Sequence, residues 1–149
     1  MSLQEEVMVA MKTAMKAKDQ TALAALRAIK SEILLAQTES GSAEGLTEEQ
    51  ELKIVSKLVK QRKDSATIFM EQNREDLAEP ELAQAEVISQ FLPEQLSDEE
   101  VEAVVVATIA KVGAEGMKDM GKVMGAVNQE LAGKADGKTI ASIVKAKLS

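Results

Sequence analysis

Phe91-Leu92-Pro93-Glu94-Gln95-Leu96-Ser97-Asp98-Glu99-Glu100-Val101 ends one helix and begins another. Pro93 pushes Leu92 toward extended backbone, which stops the helix before it. Ser97 and Glu100 have capping-box spacing, and Leu96 and Val101 occupy the two positions of a hydrophobic staple. Two start signals directly after a proline stop predict a domain junction, with residues 1–93 on one side and 94–149 on the other. The next run is ambiguous by composition, since Val101, Val104, Val105, Val106, Thr108 and Ile109 are β-branched, as strands prefer. The cap, the staple and the Val101-Val105-Ile109 spacing predict a helix, and a lone strand would have nothing to pair with.

Outward from the junction, apolar residues recur at three- and four-residue spacing. Leu3, Val7, Met11, Ala14 and Met15 form a stripe opened by a Ser2–Glu5 capping box. Leu23, Leu26, Ile29 or Lys30, Ile33 and Ala36 form a second, with Asp19 as its N-cap. Ser40-Gly41-Ser42-Ala43-Glu44-Gly45 is a polar breaker. Thr47 and Gln50 then open a long helix with Leu52, Val55, Leu58 or Val59, Arg62, Ala66 and Phe69 on one side, ending near Asn73. Pro80 is expected in the first turn of a fourth helix that buries Leu82, Ala85, Ile88 and Leu92. Beyond the junction come helices over Asp98 to Val112, about Met120 to Leu131, and Gly137 to Leu148, with Gly113 and Gly133 as stops. The expected fold is all-α, with an N-terminal bundle of about four helices and a small C-terminal three-helix domain. Eight Met and two Phe predict a core of slender side chains, with Met8, Met11 and Met15 inside it.

Composition removes most common active sites. The 149 residues contain no Cys, His, Trp or Tyr, which excludes disulfides, thiol nucleophiles, imidazole bases and Cys or His metal ligands. The 25 carboxylates cluster at helix starts, as capping and the macrodipole favour, and no EF-hand spacing occurs. We therefore expect no catalytic residue, cofactor or metal. The net charge of −7 opposes nonspecific binding to nucleic acid, DNA included. The stretch Val101 to Ile109 is too short to span a bilayer, and the acidic start Met1-Ser2-Leu3-Gln4-Glu5-Glu6 is unlike a signal peptide. A cytoplasmic protein without membrane association is the expectation.

Two constellations stand out from this background. Lys53, Lys57, Lys60, Arg62 and Lys63 fall in eleven residues that hold no acid, and the first three share a helix face. Such a row suits successive phosphates, or it is a solvated face offset by Glu48, Glu49 and Glu51. The segment Gly113 to Lys138 holds six of the chain's eight glycines, and Lys122 and Lys138 each follow a glycine near a helix start. Helix N-termini carry partial positive charge, and glycine lets a phosphate approach the backbone. From Lys111 to Ser149 seven lysines face four acids, so an acidic chain finishes in a basic segment. Gly116 to Val123 has P-loop spacing but ends in Val, and Gly133 to Thr139 is one residue short, so neither predicts nucleotide hydrolysis.

The runs Leu92-Pro93-Glu94-Gln95-Leu96, Asp119-Met120-Gly121-Lys122-Val123-Met124-Gly125 and Gly133-Lys134-Ala135-Asp136-Gly137-Lys138 resemble the GatB/YqeY family. Lys60-Gln61-Arg62-Lys63-Asp64-Ser65 and Asn73-Arg74-Glu75-Asp76-Leu77 resemble its first half, so the likeness extends over essentially the whole chain. The family is similar to the tail of the B subunit of the aspartyl/glutamyl-tRNA amidotransferase. That enzyme amidates mischarged tRNA with glutamine-derived ammonia, and its tail contacts the outer corner of the tRNA. The resemblance implies a tRNA-facing edge made by Gly121, Lys122, Gly125, Lys134, Gly137 and Lys138, with Lys53, Lys57 and Lys60 extending it. It also implies that the family label, carbon–nitrogen ligase activity with glutamine as amido-N-donor, describes the parent enzyme, because no large catalytic domain is present in these residues. The leading expectation is an accessory tRNA-binding protein. The second is a helical adaptor that docks on an amidotransferase or an aminoacyl-tRNA synthetase.

Overall fold

The computed structural model describes residues 2–40 and 45–149. Most of the expected breaker, Gly41-Ser42-Ala43-Glu44, lies outside the described residues. The helices are α1 (Leu3–Ala17), α2 (Gln20–Ser40), α3 (Glu48–Glu71), α4 (Glu75–Ser89), α5 (Asp98–Val112), α6 (Met120–Glu130) and α7 (Gly137–Leu148), with a 3-10 turn at Met117–Asp119. No strand occurs among the described residues, so the all-α expectation holds and the β-branched run is helical. The chain divides into two compact units, Met1–Leu92 and Pro93–Ser149, each with its own core.

The helix starts follow from local chemistry. Ser2 and Glu5, Thr47 and Gln50, and Ser97 and Glu100 each form the reciprocal capping box, with side chains satisfying backbone N–H groups the helix leaves unpaired. Asp19 accepts from the Ala22 N–H at 3.0 Å and caps α2. The stops are equally local. Lys18 ends α1 in the left-handed region at φ 57, and Asn73 at φ 59 turns the chain from α3 into α4. Gly113 and Gly133 take φ 67 and 73, conformations open to glycine at little steric cost.

In the first unit α3 and α4 pack most extensively on each other, and α2 lies against both. Arg62 links the pair, donating to Gln84 at 3.1 Å and to the Leu58 carbonyl at 3.4 Å. Leu26, Ile29, Ile33, Val55 and Ile88 form the centre of the core. Helix α1 rests on α2 through Leu3, Val7 and Ala14, and the Leu3 N–H donates to Glu51 on α3 at 2.6 Å.

Three expectations are corrected here. Met8 and Met15 are not core residues but are 47% and 56% exposed. Each directly follows a buried residue, Val7 or Ala14, which turns it about 100° away from α2; only Met11 is partly buried. Leu82 is 47% exposed rather than buried, because it stands at the edge of an open groove between α3 and α4. Pro80 lies inside α4, which begins five residues earlier at Glu75. The proline lacks the N–H that would bond the Asp76 carbonyl. The helix tolerates this because Ala78, Ala85 and Ile88 are buried along it. Glu75 and Asp76 also suit its positive N-terminal end.

The second unit closes α5, α6 and α7 around Val101, Val105, Val123, Val127, Leu131, Ile140 and Val144. Leu96 packs on this core beside the buried Val101, as the staple requires.

Candidate nucleic-acid interface

Two turns frame the glycine–lysine segment. After α5, Gly113 reverses the chain, and the Asp119 carboxylate accepts the Glu115 N–H at 3.0 Å. This holds the short loop so that α6 starts at Met120. After α6 the chain turns through Gly133, and Asp136 caps α7 by accepting the Lys138 N–H at 3.1 Å. The Leu96 N–H donates to the Lys134 carbonyl at 2.9 Å. The Gln95 side-chain amide donates to the Gly133 carbonyl at 2.7 Å and to the Pro93 carbonyl at 2.9 Å. Leu92-Pro93-Glu94-Gln95-Leu96 thus clasps Gly133-Lys134-Ala135-Asp136-Gly137-Lys138. No spacing in the chain signals this pairing.

Most residues of these runs have a packing role. Val123 is fully buried, and Met120, Met124 and Ala135 pack against the same core. Gly133 serves the turn. Three glycines have no such role. Gly121, Gly125 and Gly137 are exposed and lack positive φ, and a methyl group added to any of them would meet nothing outside its own helix within 4 Å. Gly121 and Gly125 are one turn apart on α6, opposite Val123 and Val127. Asn128 and Gln129 continue that exposed face, a feature the sequence reading missed. Its signal was present in the i, i+4, i+7 spacing from Gly121.

The lysines divide by position. Lys122 donates to the Val112 carbonyl at 3.2 Å, where a cation suits the negative end of α5. Its ammonium has three donors, so this bond leaves two for a ligand. Lys134 and Lys138 are exposed and follow the other end of α6, which lies about 12 Å of helix rise beyond Lys122. The structure therefore places Gly121 and Lys122 at the start of α6 with Gly125 one turn further along it, and Lys134, Gly137 and Lys138 in the turn after α6 and the first residues of α7.

Lys53, Lys57 and Lys60 belong to the other unit, all exposed on α3. Glu49 pairs with Lys53 at 3.5 Å, an exposed contact that offsets part of the row. Neither P-loop-like run wraps a cradle. Gly116 to Lys122 is a 3-10 turn leading into α6, and Gly133 to Thr139 is a turn leading into α7. Among the described residues no three carboxylates gather to hold a metal ion, and no helix is long and apolar enough to cross a membrane.

The family described as Yqey-like protein matches residues 4–148. The chain belongs to this family. It is 33% identical over 135 residues to "Altered inheritance of mitochondria protein 41, mitochondrial" from Clavispora lusitaniae, covering 88% of this chain and 77% of that one. The protein of the same name from Pyrenophora tritici-repentis is 32% identical over 128 residues, covering 84% and 68%. A stretch of 84 residues, 54% of the chain, is 37% identical to 13% of a glutamyl-tRNA(Gln) amidotransferase subunit from Thermococcus gammatolerans. Both fungal relatives carry "mitochondrial" in their names, which overturns the cytoplasmic expectation. That expectation rested on the lack of a membrane-spanning stretch and on the acidic start; Glu5 and Glu6 serve the capping box and first turn of α1, and neither feature reports compartment.

Proposed function

We propose that this Yqey-like protein is a tRNA-binding accessory factor that performs no chemistry itself. Its unit Pro93–Ser149 would act as the RNA-facing domain, with Gly121, Lys122 and Gly125 at one contact and Lys134, Gly137 and Lys138 at another. The observation that carries the reading is the bare face of α6. Glycine weakens a helix by about 1 kcal/mol relative to alanine, and neither turn geometry nor packing asks for it at Gly121 or Gly125. A sugar–phosphate backbone resting on the helix does ask for it, because a side chain there would hold the strand away.

Lys122, Lys134 and Lys138 supply point charges for phosphates, and the Asn128 and Gln129 amides supply donors between them. Recognition is of shape and phosphate rather than sequence. The chain has no Trp or Tyr on which to stack bases, and its acidic remainder disfavours shapes that do not fit the edge. The likeness to a stretch of a tRNA amidotransferase subunit supports RNA as the partner class. On the other unit, the row Lys53, Lys57, Lys60 would offer phosphates a contact of its own, reduced where Glu49 pairs with Lys53.

The test is filter retention of bulk tRNA by the full chain and by the Gly121→Ala/Gly125→Ala variant. Weaker retention by a variant that is at least as stable supports the reading. Undetectable binding by the parent at low salt, or equal retention by the variant, overturns it.

A further inference from the structure

The first unit carries an apolar groove that the tRNA reading does not use. It lies between α3 and α4, measures about 540 Å³, and is lined by Lys63, Ala66, Thr67, Met70, Glu71 and Leu82. Ala66 is only 2% exposed and forms its floor, while Met70 and Leu82 stand 50% and 47% exposed at its walls. The Thr67 hydroxyl donates to the Lys63 carbonyl at 3.0 Å, so Thr67 contributes a methyl group rather than a polar one. The two charged residues sit at opposite ends, eight residues apart on α3, or about 12 Å. Beyond the Lys63 end the charge continues with Lys60 and Lys57.

We infer that this groove receives an amphipathic helix of a partner protein, about two turns long, acidic at the end that meets Lys60 and Lys63 and basic at the end that meets Glu71. Its length matches apolar anchors at i, i+4 and i+7, which span about 10 Å of helix. An adaptable methionine wall suits such knobs. The charge order along α3 sets the direction in which the helix lies. RNA is the poorer occupant, because the apolar floor and walls offer phosphates nothing and contain no aromatic ring for stacking. The inference does not rest on tRNA binding by the glycine–lysine edge of the other unit, although Lys60 belongs to both proposals.

The probe is a synthetic 15-residue amphipathic helical peptide with Glu at one end of its polar flank and Lys at the other. It is titrated into the isotopically labelled full chain and followed by amide chemical shifts. Saturable shifts confined to residues 60–71 and the neighbourhood of Leu82 are expected. Leu82→Glu should weaken binding tenfold or more, and Met70→Glu serves as the second variant if Leu82→Glu lowers helicity. Lys60→Glu/Lys63→Glu should weaken binding several-fold, with recovery when the acidic end of the peptide is changed to Lys. Scattered shifts, parental affinity in both groove variants, or displacement of the peptide by a short RNA that shifts the same amides would overturn the inference.

Discussion

At the scale of single residues, the glycines divide into two kinds that spacing alone could not separate. Gly113 and Gly133 hold positive φ and end or turn helices, as their place after apolar runs implied. Gly121, Gly125 and Gly137 have ordinary backbone and open surroundings. Alanine at Gly121 and Gly125 should therefore raise stability by up to about 1 kcal/mol each, read as a higher urea midpoint; a lower midpoint would show that the glycines serve the fold. Lys18 is the opposite case, a side chain in the left-handed region at the end of α1. Lys18→Gly should raise stability by up to about 1 kcal/mol by removing that strain, again read as a higher urea midpoint. Met8 and Met15 show where residue-level reading fails. A three-or-four spacing fixes the centre of a buried stripe but not the width of the arc its partner covers, and α1 has α2 on one side only.

At the scale of elements, helix starts were legible wherever a polar cap preceded an apolar run. All three capping boxes formed, and the Ser97–Glu100 box decided the β-branched run of α5 in favour of helix. Helix α4 was legible only from Pro80 onward, because Arg74 offers no side-chain cap. Arg74 instead makes a bidentate pair with Asp76, at 3.1 and 3.0 Å, which holds the Asp76 carboxyl below the usual carboxylate range. The sign follows: the pair's contribution is present at neutral pH and is lost as pH falls through that lowered value. Both groups are fully exposed, so solvent screens the pair and Asp76→Asn should leave stability nearly unchanged. The clasp from Gln95 and Leu96 to the turn after α6 was not legible, since its partners are 38 residues apart. Gln95→Ala should cost about 1 kcal/mol and speed hydrogen exchange at the Leu96 amide, which donates to the Lys134 carbonyl. Unchanged exchange would mean that the clasp adds nothing to the geometry of Lys134 and Lys138.

At the scale of the whole molecule, a net charge of −7 coexists with local basic surfaces on each unit. That combination gives weak attraction to polyanions at long range and binding only where the shape brings phosphates to the lysines. The all-helical architecture was readable from periodicity, and the family from the runs that the clasp joins. Compartment was not readable, because Glu5 and Glu6 are occupied in starting a helix. The most direct test is the salt dependence of tRNA binding by the full chain beside a Lys122→Glu/Lys134→Glu/Lys138→Glu variant. Removing each lysine–phosphate interaction should flatten the slope of log affinity against log salt by roughly one. The proposal predicts a steep parent and a nearly flat, weakly binding variant, and a variant that keeps the parent's affinity and slope would contradict it.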